Sequence, residues 1–300
     1  MKTRHAFTLV EILTVTVIIG ILAALITAAV AGAMKTAKRA RIGMEMHTIA
    51  LAIEQSKNEF GEYPPDMFDD AAIVRYVKKR WPRLPSNYND AAFIRGSINT
   101  AYGYDVDFTV SDAKIESLGS LALWLGGFPN SDGKLSGFSA DPENPFFANP
   151  FVPMEERVYD KKAFLDWEVG DDKSVRFVNG GGGRFVPVVG TEIRNTFVPF
   201  VYFRGRADGG EGAYKIGDDV KQISSAAFGL CVPYIESENN GTIKWKNPAT
   251  YQLIHPGLDG WFGGQGVVDR FINPGTGIGA ADLDNLTNFS DYKELKSILP

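Results

Sequence analysis

Residues 12–34 form a run of 23 residues without a formal charge. As an α-helix this run spans about 35 Å, enough to cross a hydrocarbon core of roughly 30 Å. No other feature constrains the chain as strongly. The first proline is Pro64, so nothing forces a helix to stop at the membrane edge. Beyond the run, Ile42, Met46, Ile49, Ile53 and Phe60 fall on one helical stripe, which predicts that the helix continues and lays an apolar face on a folded domain. Gly20, Gly32 and Gly43 weaken that helix locally. Gly61 and Pro64-Pro65 end it.

The flanks of the run decide between three readings. A cleaved secretory signal has an apolar region of roughly 7–15 residues before its cut site, which is shorter than this one. A plain single-span anchor leaves Glu11 unexplained, since a carboxylate at the edge of a span is expensive unless paired or wet. The third reading uses every residue: the basic leader Met1-Lys2-Thr3-Arg4-His5-Ala6, then Phe7-Thr8-Leu9-Val10-Glu11, then the long apolar helix. This pattern resembles the N-terminal signal of type IV pilin-like proteins, the group of type IV pilins and type II secretion pseudopilins. The resemblance implies that a prepilin peptidase cuts between Ala6 and Phe7. It also implies that the new amine of Phe7 is N-methylated and that the helix is retained. Ala6 stands where glycine is usual in the family. Glu11 becomes the fifth residue of the mature chain. In a bundle of such helices its carboxylate pairs with a neighbour's amine, an assembly-register role, because an unpaired carboxylate in a dry bundle costs several kcal/mol.

Orientation is contested by local charge. Lys35, Lys38, Arg39 and Arg41 follow the span, whereas Lys2 and Arg4 precede it. Charge counting places the 35–41 side in the cytoplasm. The family resemblance implies the reverse: leader in the cytoplasm, and the protein in the inner membrane as a single-pass chain with a periplasmic or other extracytoplasmic domain.

The remaining chain divides by composition. The expected organisation is a leader at 1–6, a transmembrane and assembly helix at 7–34 and an amphipathic continuation at 35–62. A loop-rich insertion follows at 63–190, then an antiparallel sheet with a C-terminal Asp/Gly-rich loop at 191–300. Within the insertion, 69–80 and 114–125 read as short helices, and the proline-rich stretch 129–153 as a long loop. Asn179-Gly180-Gly181-Gly182-Gly183 lacks the Lys-Ser/Thr of a phosphate loop and reads as a hairpin tip. Runs at 196–203, 228–235 and 249–254 are β-branched and aromatic. Pro199 and Pro233 place the first two at sheet edges or bulges. The fold class is α+β: a long N-terminal helix packed on a C-terminal antiparallel sheet domain with a large loop-rich insertion, which is pilin-like.

Two segments near the C-terminus, Pro256-Gly257-Leu258-Asp259-Gly260 and Ala281-Asp282-Leu283-Asp284-Asn285, resemble the Asp-rich loop of major pseudopilins. The resemblance implies a Ca²⁺ site using Asp282 and Asp284, with the carbonyl of Leu258 and Asp259 as further donors; calcium takes six to eight oxygens. A solvated turn capped by an aspartate is the alternative.

No catalytic pattern emerges. The three histidines are His5, His47 and His255, and only His255 lies where a folded site could use it. It has no HExxH, no Gly-x-Ser-x-Gly partner and no zinc-ligand spacing. The single cysteine, Cys231, excludes an internal disulfide and Cys-rich zinc modules. The chain carries net charge −5, and residues 42–300 hold 25 basic against 35 acidic residues. This acidity argues against nucleic acid as the partner of the domain. The expected partners are prepilin peptidase, other pilin or pseudopilin subunits, an inner-membrane assembly platform and membrane lipid. The expected role is a structural subunit of a pilin-like filament, not an enzyme. The alternative is a single-span, membrane-anchored binding module outside the cytoplasm.

Overall fold

A computed structural model describes residues 8–102, 113–160, 163–181, 184–193, 195–206, 209–210, 212–216, 219–225, 228–240, 242–263 and 283–297. The chain divides into two compact units, Met1–Ile42 and Gly43–Pro300. One helix, α1 (Leu9–Phe60), supplies nearly all of the first unit and opens the second.

Within the first unit α1 is bare as far as Met34, and Ile42 at its end is buried. All fourteen large apolar side chains between Leu9 and Met34 keep half or more of their surface exposed, Leu9 as much as 81%. This is the one helix among the described residues that is long and apolar enough to cross a membrane.

In the second unit the helix behaves as its periodicity predicts. Met46, Ile49 and Ile53 are buried, and Phe60 packs against the core from a partly buried position. The helix end is tied in by polar contacts. The Ser56 and Tyr76 hydroxyls share a buried hydrogen bond of 2.7 Å, and Tyr63 donates to Glu54 at 3.1 Å. Gly43 serves packing rather than flexibility. A Cβ there would stand 2.9 Å from the Tyr292 carbonyl oxygen, so only glycine lets that backbone approach the helix.

The stretch expected to be a loop-rich insertion has long irregular segments and also holds three α-helices and the first strands. Helix α2 (Asp70–Arg80) falls where a short helix is expected, and Asp69 caps it by accepting the Ala71 and Ala72 amides. Helix α3 (Ala91–Tyr102) was not expected; its apolar side chains Ile94, Ile98 and Ala101 lie at helical spacing and are fully buried. Helix α4 (Ala113–Leu121) runs into a wider turn over Ala122–Gly126. The 129–153 segment has only turns and isolated bridges. It is nevertheless core, because Phe138, Phe146 and Phe147 are buried and stack with Trp81, Trp124 and Phe128. These residues share one hydrophobic cluster with the sheet residues Val186, Phe203, Ile235 and Ile254. The boundary drawn at 190/191 therefore does not separate two packing units: the aromatic side chains of the middle segment cover the sheet.

The strands are short and numerous. They are β1 (Val175–Gly181), β2 (Arg184–Ile193), β3 (Thr196–Pro199), β4 (Val201–Arg204), β5 (Lys215–Ile216), β6 (Asp219–Val220), β7 (Ile223–Ser225), β8 (Gly229–Cys231), β9 (Ile235–Asn239), β10 (Thr242–Trp245), β11 (Tyr251–His255) and β12 (Leu286–Thr287). Among the described residues two sheets have three strands, in the orders β1-β2-β3 and β12-β11-β4, and the others are two-stranded ribbons. Every strand pairing is antiparallel. The glycine-rich segment joins β1 to β2 as a hairpin, with residues 182–183 outside the described set. The expected single strand at 196–203 is broken at Phe200 into β3 and β4, and the run at 228–235 stops at Cys231 before Pro233. Proline lacks a ladder donor, which fits the stop before Pro233, although Pro187 and Pro199 are accommodated inside β2 and β3.

Candidate functional site

The first candidate site is the start of α1. Thr8 precedes the first helical turn, where amide groups have no partner inside the helix. Its hydroxyl oxygen accepts the Glu11 amide at 3.3 Å. In return the Glu11 carboxylate accepts the Thr8 amide and the Thr8 hydroxyl, each at 2.8 Å. This reciprocal arrangement is a capping box. Glu11 thus closes the first turn of its own helix before any neighbour is present. The sequence reading assigned Glu11 only to assembly and gave Thr8 no role of its own. The signal was available, because a threonine followed three residues later by an acid, just ahead of an apolar run, is a helix-start pattern. Ala6 and Phe7, the expected cleavage and methylation residues, lie outside the described residues.

The second candidate is the C-terminal loop. Strand β11 pairs with β12 through Ile254 with Thr287 and His255 with Leu286, which carries the turn after His255 against the residues before Leu286. The Leu258 and Asp259 amides donate to one oxygen of Asp284, at 2.9 and 3.2 Å. Asp259 in turn accepts the Trp261 amide at 2.8 Å. Gly257 has φ +73°, and a Cβ there would collide with the Asp284 carbonyl oxygen, so the approach requires glycine. Burial pushes the Asp284 carboxyl up, against the two amides that hold it down. The sequence resemblance therefore finds segments that do meet, with Leu258, Asp259 and Asp284 together. Their chemistry is that of an anchored turn. Amide N–H groups, from Leu258 and Asp259, face one oxygen of the carboxylate. Among the described residues no three His, Cys, Asp or Glu side chains gather to hold a metal. Asp282 lies outside the described residues.

His255 is completely buried beside that turn. Its Nδ1 accepts the Gly257 amide at 3.1 Å, and its ring packs against Phe200 with centroids 4.8 Å apart. Its Nε2 has no hydrogen-bond partner among the described residues. Burial lowers its pKa to about 3, so it is neutral at ordinary pH. Cys231 is buried in β8 as a small apolar side chain.

Comparison with known proteins agrees with the first site. Residues 1–27 match the family described as the prokaryotic N-terminal methylation motif. No curated protein and no solved structure matches the chain significantly. The match covers the leader, Thr8, Glu11 and the apolar run as far as Thr27. The chain therefore carries, over its first 27 residues, the prepilin-type N-terminal motif that marks type IV pilin-like proteins.

Proposed function

We propose that this chain is a structural subunit of a pilin-like filament, a type IV pilus or a type II secretion pseudopilus, assembled through α1. The observation that carries this reading is the coincidence of the methylation motif with a helix whose apolar residues are bare from Leu9 to Met34. Each such side chain gains roughly 1.5–3 kcal/mol on leaving water. The segment therefore needs lipid before assembly and neighbouring helices after it. A prepilin peptidase would remove residues 1–6 on the cytoplasmic side and leave Phe7 as the methylated first residue. The domain that follows would then face the periplasm or outside, and an inner-membrane platform would extract the subunit from lipid.

Glu11 would act as the register device. Its carboxylate holds its own first turn through Thr8 in the free subunit. In a bundle the same carboxylate would also meet the methylated amine of a neighbour, and only one axial stagger brings the two together. We assign the protein no catalytic role.

The deciding experiment is the N-terminal sequence and mass of the protein recovered from membranes. A chain that begins at a methylated Phe7 and retains the helix supports the reading. A chain that begins at Met1, or one that has lost residues 12–34, overturns it.

A further inference from the structure

An unassigned cleft of about 860 Å³ opens in the second unit, between the end of α1, the start of α2 and the end of β4. That volume lies in the range of small-molecule sites. Its charge runs against that of its surroundings. Residues 42–300 are strongly acidic, yet the cleft is lined by Lys57, Arg75, Lys79, Arg204, Arg206 and Lys221. The acids that line it are Glu62, Asp66 and Asp69, half as many.

Two of those acids are already spent on the fold. Asp66 is buried and receives Lys221 Nζ at 2.6 Å, the Arg204 amide at 2.8 Å and the Phe68 amide at 3.3 Å. Asp69 caps α2. That leaves one carboxylate, Glu62, facing three cations: Arg204 at 2.9 Å, Arg75 at 3.0 Å and Lys79 at 3.4 Å. Burial pushes the Glu62 carboxyl up, but the hydrogen bonds and charges of Arg75 and Arg204 outweigh it and keep the group ionised.

The Arg204 guanidinium supplies an independent sign. Its side chain is only 7% exposed, and its other terminal nitrogen, Nη1, has no hydrogen-bond partner among the described residues. Glu62 Oε1, in the same cluster, also lacks a hydrogen bond among the described residues, so the cluster as a whole is under-satisfied, and unmet buried donors and acceptors are costly. Arg75 and Lys79 are each about half exposed and stand at the rim. The Arg204 guanidinium, held to Glu62 through Nη2, and the two half-exposed cations Arg75 and Lys79 make a graded seat for negative oxygen.

We propose that this cleft is an anion-binding site that takes a soluble ligand bearing at least two negative charges on phosphate or carboxylate groups. Arg204 is its floor, and Arg75 and Lys79 are its rim. The site is independent of the filament reading, because it uses no residue before Lys57 and would serve a filament subunit or an anchored module alike.

Pyrophosphate and citrate are the probes, titrated into the full-length chain in detergent at low ionic strength and followed by calorimetry. Arg204→Gln would strip a buried carboxylate of its partner and endanger the fold, so the working variant is Arg75→Gln with Lys79→Gln. Its melting temperature is checked first. The wild-type chain binds at least one probe in the submillimolar range, and added salt weakens the binding. The double variant, still folded, loses about tenfold in affinity. Lys35→Gln with Lys38→Gln, in the basic segment after the span, leaves the affinity unchanged. Binding of pyrophosphate alone identifies a phosphate ligand, and binding of citrate alone a carboxylate ligand. The proposal fails if neither probe binds, or if the rim variant binds as tightly as wild type. It also fails if the loss of affinity follows the 35–38 variant instead.

Discussion

The two ends of helix α1 obey the same backbone geometry and meet opposite fates. Between Leu9 and Met34 its apolar side chains are exposed on all sides, whereas Met46, Ile49 and Ile53 are buried to 3% or less. The difference lies in the distribution of apolar residues, not in helix propensity. A helix that is apolar all round needs an apolar medium or several helical neighbours, whereas a helix with one apolar stripe is completed by a single sheet or layer. The first region has its partners outside the chain; the second carries them in its own sequence. Function is therefore expected to fail differently at the two ends.

The largest expected effect tests the partner-dependent end. Glu11→Gln should enter the membrane and lose its leader, yet lose most helix-to-helix crosslinks between subunits. Normal crosslinking by that variant would remove Glu11 as a register device.

Next comes the self-sufficient end. Trp124 is fully buried and meets the rings of Tyr76 and Phe138. Trp124→Ala should destabilise the domain by about 3–5 kcal/mol in denaturant titrations. Processing at Phe7 should be unchanged. Loss of the cut together with the fold would show that the two regions are not separable.

A third prediction concerns acid. Unfolded, His255 titrates near 6.5; folded, it titrates at about 3. Between those values the unfolded chain binds one more proton, so stability falls as pH drops, by up to about 1.4 kcal/mol per pH unit. Glu62, whose folded pKa is lowered, adds its own loss only below its ordinary range, near 4.5. Asp284, whose folded pKa is raised, acts in the opposite sense and favours acid. Melting followed between pH 6.5 and 5 isolates the histidine. His255→Asn should flatten the curve there, and an unchanged slope would assign it to another group.

Thr8→Ala removes one half of the capping box and should cost about 1 kcal/mol of local helix stability. Amide exchange in residues 9–11 should quicken while the domain melting temperature stays fixed. Last, millimolar Ca²⁺ should not shift that melting temperature if Asp284 acts only as the turn anchor, with one oxygen accepting two amides. A shift of several degrees, abolished by Asp284→Ala, would restore a calcium site completed by residues outside the described set.

What proved legible in the sequence depends on a local signal. The short helix at 69–80, the hairpin around the glycine run and the interruption at Pro233 all follow from residues within a few positions of one another. The composition of 63–190 announced its loops but not helix α3 or the buried rings. Turn-forming residues between 129 and 153 announce irregular backbone, but they say nothing of whether Phe138, Phe146 and Phe147 point inward. Irregular backbone and buried side chains are compatible, and only packing against Trp81 and Trp124 reveals the second.

By itself the sequence determined the membrane-crossing helix, its motif and its start at Thr8 and Glu11. Each depends on contacts three or four residues apart, or on hydropathy summed along one segment. Only the tertiary structure decided that the middle of the chain belongs to the core, that His255 is sealed in and neutral, and that Glu62 gathers Arg75, Lys79 and Arg204. The last contact spans 142 positions of sequence. Charges so far apart in the chain share a carboxylate only when folding closes the intervening loops, and no periodicity or motif records that closure.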